Sequence, residues 1–349
     1  MNTFSERDPL NPQNSGAPPE AQSADPGLAE TEPLELSPLL SPLAGFDNPF
    51  PAQEDVEARI QPACAEPPLF QSWIQPEIHP PARIPHLGHL WILVLLAIVG
   101  LLGTSLLIRS ALYFHLFGIY TFQQAVTDIH YTLGSMAALY LFTFAACVLI
   151  FPLFWHKSLF AGLQWRGATA LKLRRRLFAA AFICFLLALV NGLLMPGPEN
   201  TPIDKLFRVP GAAWLLFAFG VTFAPFFEEI VFRGFLLPAL CTAWDWAIEQ
   251  STGKPALPLD ENGHPQWSLF AMAVGSILTS VPFALMHAEQ TGHALGPFLM
   301  LVCVSLVLCW ARLSTRSLAA SVLVHASYNF MLFAFMLLGT EGFRHLDKM

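Results

Sequence analysis

The stretch "WLLFAFGVTFAPFFEEIVFRGFLLPALCTAW" (residues 214–244) decides the fold. It is long enough to cross a bilayer, since about 20 apolar residues suffice. Yet Glu228, Glu229 and Arg233 stand in its middle. One charge at the centre of a membrane helix costs about 2.5–3.5 kcal/mol on insertion scales. Three charges within six residues therefore need compensation. Helix geometry supplies part of it: Glu229 and Arg233 are four apart, lie on one face and can pair. Glu228 sits about 100° round from Glu229 and about 140° from Arg233, so it is the less neutralised of the two. One carboxylate is placed as a structural partner and the other is left free. Burial without a counter-charge gives a carboxylate the basicity that a general base needs. The competing reading is a buried ion pair with a spare glutamate that holds helices together.

The rest of the chain supports a membrane setting. The apolar share is 54% and the charged share 12%, about half the charged fraction of a soluble domain. Seven hydrophobic spans are expected, at 90–109, 133–154, 177–195, 211–240, 268–288, 296–311 and 317–338. The sixth is short, and the fourth is interrupted at Pro225. The fold class expected is therefore all-α, a polytopic bundle of about seven transmembrane helices. Residues 112–131 read as an interfacial loop or short re-entrant helix. Asp128 and His130 fall there, and Asp245, Glu249, Asp260, Glu261 and His264 fall in a polar loop at 243–267, where they are expected to be solvated.

Residues 1–82 differ in kind. They hold sixteen of the 29 prolines, with thirteen Asp/Glu against two Arg, a net of −11. The whole chain is −7, so residues 83–349 are +4. Such a segment buries too little apolar surface to offset its ordering entropy, and a disordered acidic tail is expected. The organisation expected is thus a tail at 1–82 and a transmembrane domain at 83–349. Nothing in the composition points to nucleic acid; the partners implied are the lipid bilayer and whatever the polar core binds. No positive n-region followed by an apolar h-region opens the chain, so a cleaved signal is not expected. Five of the six cysteines lie in apolar runs without C-x-x-C or disulfide spacing, and they read as small hydrophobes.

Lys157, Arg166, Lys172, Arg174, Arg175 and Arg176 cluster between the second and third spans. By the positive-inside rule this loop faces the cytoplasm, which puts the N-terminus there too. Arg312 and Arg316, between spans six and seven, agree with that orientation, while Lys205 and Arg208 do not. A bacterial plasma membrane is the location expected.

Further polar residues interrupt the later spans. Span five ends "SVPFALMHAEQ", with Phe283 one turn before His287. Span seven reads "LAASVLVHASYNFMLF", with His325 and Asn329 four apart on one face. A lone histidine in such a helix is usually a hydrogen-bonded packing residue. Two histidines, an asparagine and a free glutamate together supply a base, an imidazole to orient water, and donors for an oxyanion. A proton-coupled transporter would also explain buried Glu and His, although no internal repeat is visible. A non-catalytic binding or immunity protein of the same fold is the other alternative.

Three motifs, E-E-x-x-x-R (Glu228, Glu229, Arg233), F-x-x-x-H (Phe283, His287) and H-x-x-x-N (His325, Asn329), occur in this order. The sequence so resembles the CPBP family of intramembrane endopeptidases, which includes type 2 CAAX prenyl proteases and bacterial relatives linked to bacteriocin processing and self-immunity. The resemblance covers about residues 175–340. It implies hydrolysis of a peptide bond in a membrane-associated protein or peptide. It implies that Glu228 activates water, that His287 positions it, and that His325 and Asn329 line the oxyanion side. Glu229, Arg233 and Phe283 would support them. The family is described both as metal-independent and as zinc-dependent. No H-E-x-x-H is present, and "HAEQTGH" (287–293) has the wrong spacing for a helical zinc pair. Direct activation without a cofactor is the expectation. Zinc on Glu228, His287 and His325 is the minority one. One difficulty is visible in advance: Glu228 and His325 fall near mid-membrane, but His287 falls near the outer end of span five.

Overall fold

The computed structural model describes residues 83–195, 207, 209, 211–260 and 263–343. The expected disordered tail at 1–82 lies outside the described residues, as do Lys205, Arg208 and Glu261. Among the described residues every regular element is helical, and seven helices are long and apolar enough to cross a membrane. The fold is all-α, and the protein is an integral membrane protein.

The first two crossings form a hairpin. Helix α1 (Leu87–Tyr113) leads through a tight turn at Leu116–Gly118 and the short α2 (Phe122–Thr127) into α3 (Ile129–Trp155). The segment expected to lie at the interface is thus a turn and a two-turn helix. Thr121 and Gln124 close a capping box on α2. The Asp128 carboxylate accepts from the backbone N–H of His130 and Tyr131 at the start of α3, at 2.9 and 3.1 Å. These are donors a helix leaves unpaired. Gly100 of α1 lets the hairpin close, because a Cβ there would lie 2.5 Å from the Thr143 hydroxyl of α3. Small residues at crossings serve this purpose in membranes, where lipid gives helices no hydrophobic drive to associate.

Two short helices, α4 (Leu159–Gly162) and α5 (Gly167–Lys172), join the hairpin to α6 (Arg174–Leu194). The chain returns through α7 (Ala212–Thr252), α8 (Leu269–Met286), α9 (Leu295–Thr315) and α10 (Leu318–Gly339). Helix α7 lies between two apolar clusters. Ile230 and Phe235 pack with Phe151, Trp155 and Leu163 of the first half. Phe232 packs with Leu177, Phe283, Leu308 and Val324 of the second. Lipid-facing surfaces keep large apolar side chains such as Leu102, Leu149 and Ile183 exposed.

Helix α7 departs from expectation in three ways. It is not interrupted at Pro225 but runs through it, because Phe219–Phe223 widens into a π-turn. A second π-turn, Ile230–Leu236, precedes Pro238. The helix also continues to Thr252, twelve residues past the expected end at 240. Part of the expected solvated loop is therefore helix. Asp245 is only 5% exposed, and its carboxylate accepts from the backbone N–H and hydroxyl of Ser268 at 2.9 and 2.6 Å. Ser268 in turn caps α8. Glu249 pairs with Arg83 at 2.9 Å, and Asp260 lies 3.1 Å from Arg316. These carboxylates bind segments together, and neither periodicity nor composition signals that.

The 41-residue length of α7 also settles the depth problem. At about 1.5 Å per residue it far exceeds a hydrocarbon core of about 30 Å. Glu228 lies far from the Thr252 end, level with the far end of the 18-residue α8. His287 stands at that helix end, as expected, and still reaches the centre of the bundle.

Candidate active site

The site is built from α7, α8, α9 and α10. Glu229 is fully buried. The Arg233 guanidinium donates to Glu229 Oε1 through Nη1 at 2.8 Å, so the pairing read from the four-residue spacing is made. Arg233 Nη2 donates to the Ser305 hydroxyl at 2.6 Å and to its carbonyl at 3.1 Å, which ties α7 to α9. On the same carboxylate oxygen, His325 Nδ1 of α10 stands at 2.9 Å. Glu229 is thereby held by a guanidinium and an imidazole, and burial among such donors is what makes a buried carboxylate tolerable.

Glu228 faces elsewhere. It is 8% exposed, and no guanidinium or ammonium among the described residues lies within 4.0 Å of it. Its nearest charged or titratable neighbours are two imidazoles, with His287 Nε2 at 3.8 Å and His325 Nε2 at 3.9 Å from Oε2. Both rings are fixed by their other nitrogen. His287 Nδ1 lies 2.9 Å from the Phe283 carbonyl, which only accepts, so Nδ1 carries the proton. His325 Nδ1 meets a carboxylate and is a donor by the same logic. In the neutral form both histidines then present the Nε2 lone pair toward Glu228. The separations exceed a direct hydrogen bond and suit a bridging water with arms of about 2.8 Å.

Phe283 has two functions here that its apolar nature hides. Its backbone carbonyl orients His287, and its ring lies under the Arg233 guanidinium, 4.5 Å from carbon to centroid. The same ring meets the imidazoles of His287 and His325, with centroids 4.8 and 5.8 Å away. Asn329 is one turn beyond His325 on α10. Its amide nitrogen donates to the Gly220 carbonyl at 2.7 Å, toward the α7 backbone. One N–H of that amide remains for another partner.

Sequence reasoning missed several residues that complete the constellation. Ser305 is a serine in an apolar run, indistinguishable from packing until α9 meets Arg233. Tyr140 of α3 stacks on Phe227 with centroids 5.2 Å apart and brings the first hairpin against the site. Arg312, read as a loop charge, belongs to the last turn of α9 and is 1% exposed. Its burial removes one argument for the expected orientation, and the cluster at 157–176 still carries it.

Among the described residues no group of three or more His, Cys, Asp or Glu side chains is gathered to hold a metal ion as it stands. The donor types of Glu228, His287 and His325 nevertheless suit zinc. Their nitrogen–oxygen edges of 3.8 and 3.9 Å are longer than the edge of about 3.3 Å of a tetrahedral site with bonds of about 2.0–2.1 Å. A contraction of about 0.5 Å would bring them into range.

Buried carboxylates and two imidazoles gathered inside a membrane helix bundle are the groups that an intramembrane hydrolase site requires. Residues 210–331 match the family described as Type II CAAX prenyl endopeptidase Rce1-like, and over this region the chain is similar to CAAX-protease-like membrane endopeptidases. The matched region contains all three motifs and is narrower than the expected 175–340, so α6 lies outside it. No curated protein and no solved structure matches the chain.

Proposed function

We propose that the protein cleaves a peptide bond of a membrane-associated protein or peptide by direct water activation at Glu228. The observation that carries the reading is the asymmetry of the two glutamates. Glu229 is consumed by Arg233 and His325, while Glu228 faces only two Nε2 atoms across a gap of one water. In this mechanism water sits between Glu228 and His287. Glu228 takes its proton as the oxygen adds to the carbonyl carbon. The carbon–nitrogen bond then breaks, and the departing amine receives that proton from Glu228. The oxyanion faces His325, which donates when Nε2 also carries a proton, and the amide N–H of Asn329 that Gly220 does not use. Glu229 and Arg233 hold His325 in orientation. The basic cluster at 157–176 supports a cytoplasmic N-terminus in, on this reading, a bacterial plasma membrane.

Zinc is the competing cofactor reading; held by Glu228, His287 and His325, it would supply a Lewis acid and an acidified water. The experiment reconstitutes wild type and Glu228→Gln in liposomes. Both are offered membrane-anchored peptides with and without a prenyl group, and new termini are identified by mass spectrometry. Cleavage by wild type alone, unchanged by a chelator, is the result expected. Cleavage by Glu228→Gln would remove Glu228 from the mechanism. Activity lost to chelator and restored by zinc alone would move the three residues into a metal site. A wild type that cleaves nothing, in a membrane where it alters ion or proton flux, would favour the transporter.

A further inference from the structure

The two π-turns of α7 each leave a carbonyl that the helix cannot satisfy by itself. In the second, the Leu237 N–H bonds the Phe232 carbonyl, five residues back, and so bypasses Arg233. The next residue that could reach Arg233 is Pro238, which has no N–H. The first turn repeats the arrangement: the Ala224 N–H bonds Phe219, and Pro225 follows, which strands Gly220. In a bilayer such groups must find partners on neighbouring helices. Gly220 finds the Asn329 amide at 2.7 Å. Arg233 finds Arg312, whose Nε donates to its carbonyl at 3.2 Å.

Arg312 is an unusual partner. It is 1% exposed, and no carboxylate among the described residues lies within 4.0 Å of it. Three neutral acceptors share its guanidinium: the Arg233 carbonyl, Gln164 Oε1 at 2.9 Å and the Leu163 carbonyl at 3.4 Å. A buried cation without a counter-ion is costly to keep. Packing alone does not call for it here, since its same-face neighbours one turn back on α9, Leu308 and Cys309, are apolar and fully buried. What it contacts instead is the backbone of the residue that pairs with Glu229.

We infer that Arg312 is a positioning residue for the site, a role that rests on the hydrolytic reading of Glu228 for its activity arm only. By capping the Arg233 carbonyl it stabilises the π-turn over the α-helical alternative. A π-turn holds one extra residue, so its collapse rotates the two flanking parts of α7 against each other by about 100°. Glu228, Glu229 and Arg233 would then leave the positions at which His287, His325 and Ser305 meet them.

The test uses the purified full-length chain labelled with 15N at histidine. Two quantities are read: kcat and KM for a cleaved peptide, and the hydrogen-bonded Nδ1–H resonance of His325, assigned by its loss in His325→Gln. Arg312→Met should lower kcat at least tenfold with KM within twofold, and should shift or abolish the resonance. Adding Pro238→Ala supplies a backbone N–H for the Arg233 carbonyl and should restore both readouts in large part. A folded Arg312→Met with both readouts unchanged overturns the inference, and so does a double variant that restores neither. Should Arg312→Met fail to fold, Gln164→Leu removes only the side-chain acceptor of Arg312. It must then give the same pattern at about threefold or more, and unchanged readouts there are equally fatal. If wild type itself cleaves no peptide, the hydrolytic reading fails separately, and the His325 resonance alone decides the role of Arg312.

Discussion

Glu228 and Glu229 are adjacent in the chain and opposite in circumstance. Glu229 is sealed, with a guanidinium at 2.8 Å and an imidazole nitrogen at 2.9 Å on one oxygen. Glu228 lies at the edge of the buried region, with imidazoles at 3.8 and 3.9 Å and, among the described residues, no charged group closer. Helix geometry creates the difference, because neighbouring side chains point about 100° apart. A buried carboxylate with its own counter-ion stabilises; one without is available for chemistry. The contrast separates stability from activity, so each variant below should move mainly one of them.

The largest effect is expected at Glu228. Replacement by glutamine keeps size and hydrogen bonding but removes the base, and peptide cleavage should fall by about 10²–10⁴-fold, the usual contribution of a general base. The unfolding midpoint in detergent should not fall. A large loss of stability in Glu228→Gln would show that both glutamates are structural and would erase the contrast. Next comes Arg233→Ala, which leaves Glu229 buried without its guanidinium partner. Breaking a buried pair costs about 3–5 kcal/mol, measured as a lowered unfolding free energy. The double variant Glu229→Gln with Arg233→Met should regain part of that stability without regaining activity. A double variant less stable than either single one would contradict the pairing.

Phe283→Leu tests the same division from α8. Leucine keeps most of the packing volume but removes the ring under Arg233. A desolvated cation–π contact contributes about 2 kcal/mol, so stability should fall by about that much. The carbonyl that orients His287 belongs to the backbone and survives the substitution. Cleavage should therefore drop less than tenfold when assayed well below the unfolding midpoint. A loss as large as that of Glu228→Gln would mean that the ring itself positions the reacting groups.

Much of this was legible in the sequence because it rests on local periodicity. The seven spans follow from runs of apolar residues, and their ends fall within a few residues of the helices except at α7, which runs twelve residues past the expected 240. The Glu229–Arg233 pair follows from a spacing of four, and His325 with Asn329 from the same spacing on α10. What was not legible depends on contacts between segments far apart in the chain. Arg312 reads as a loop charge until Arg233, 79 residues away, is seen to present it with a free carbonyl. Pro225 reads as a break because its cost is local, whereas the Asn329 amide that offsets that cost comes from 109 residues away from Gly220. The π-turns themselves have no periodic signature, since each adds only one residue to an otherwise regular helix.

The smallest effect is expected at a third buried carboxylate of α7, and it is the control that sharpens the contrast. Asp245 is 5% exposed, less than Glu228 at 8%, so burial alone would rank it as the better candidate for a strained, reactive acid. Its partners argue otherwise. Both oxygens accept short hydrogen bonds from Ser268, at 2.6 Å from the hydroxyl and 2.9 Å from the backbone N–H. Through Ser268 it fixes the first turn of α8, the helix whose far end holds His287. Asp245→Ala should therefore act as the loss of a helix cap, about 1 kcal/mol of stability. Cleavage at saturating peptide should stay within about twofold of wild type, because the 18 residues of α8 separate this cap from His287 by about 27 Å along the helix. A loss of activity far beyond the loss of stability would show that α8 transmits its capped end to His287 as a rigid lever. The boundary between structural and reactive carboxylates would then have to be drawn by coupling through helices as well as by the partners each acid has at hand.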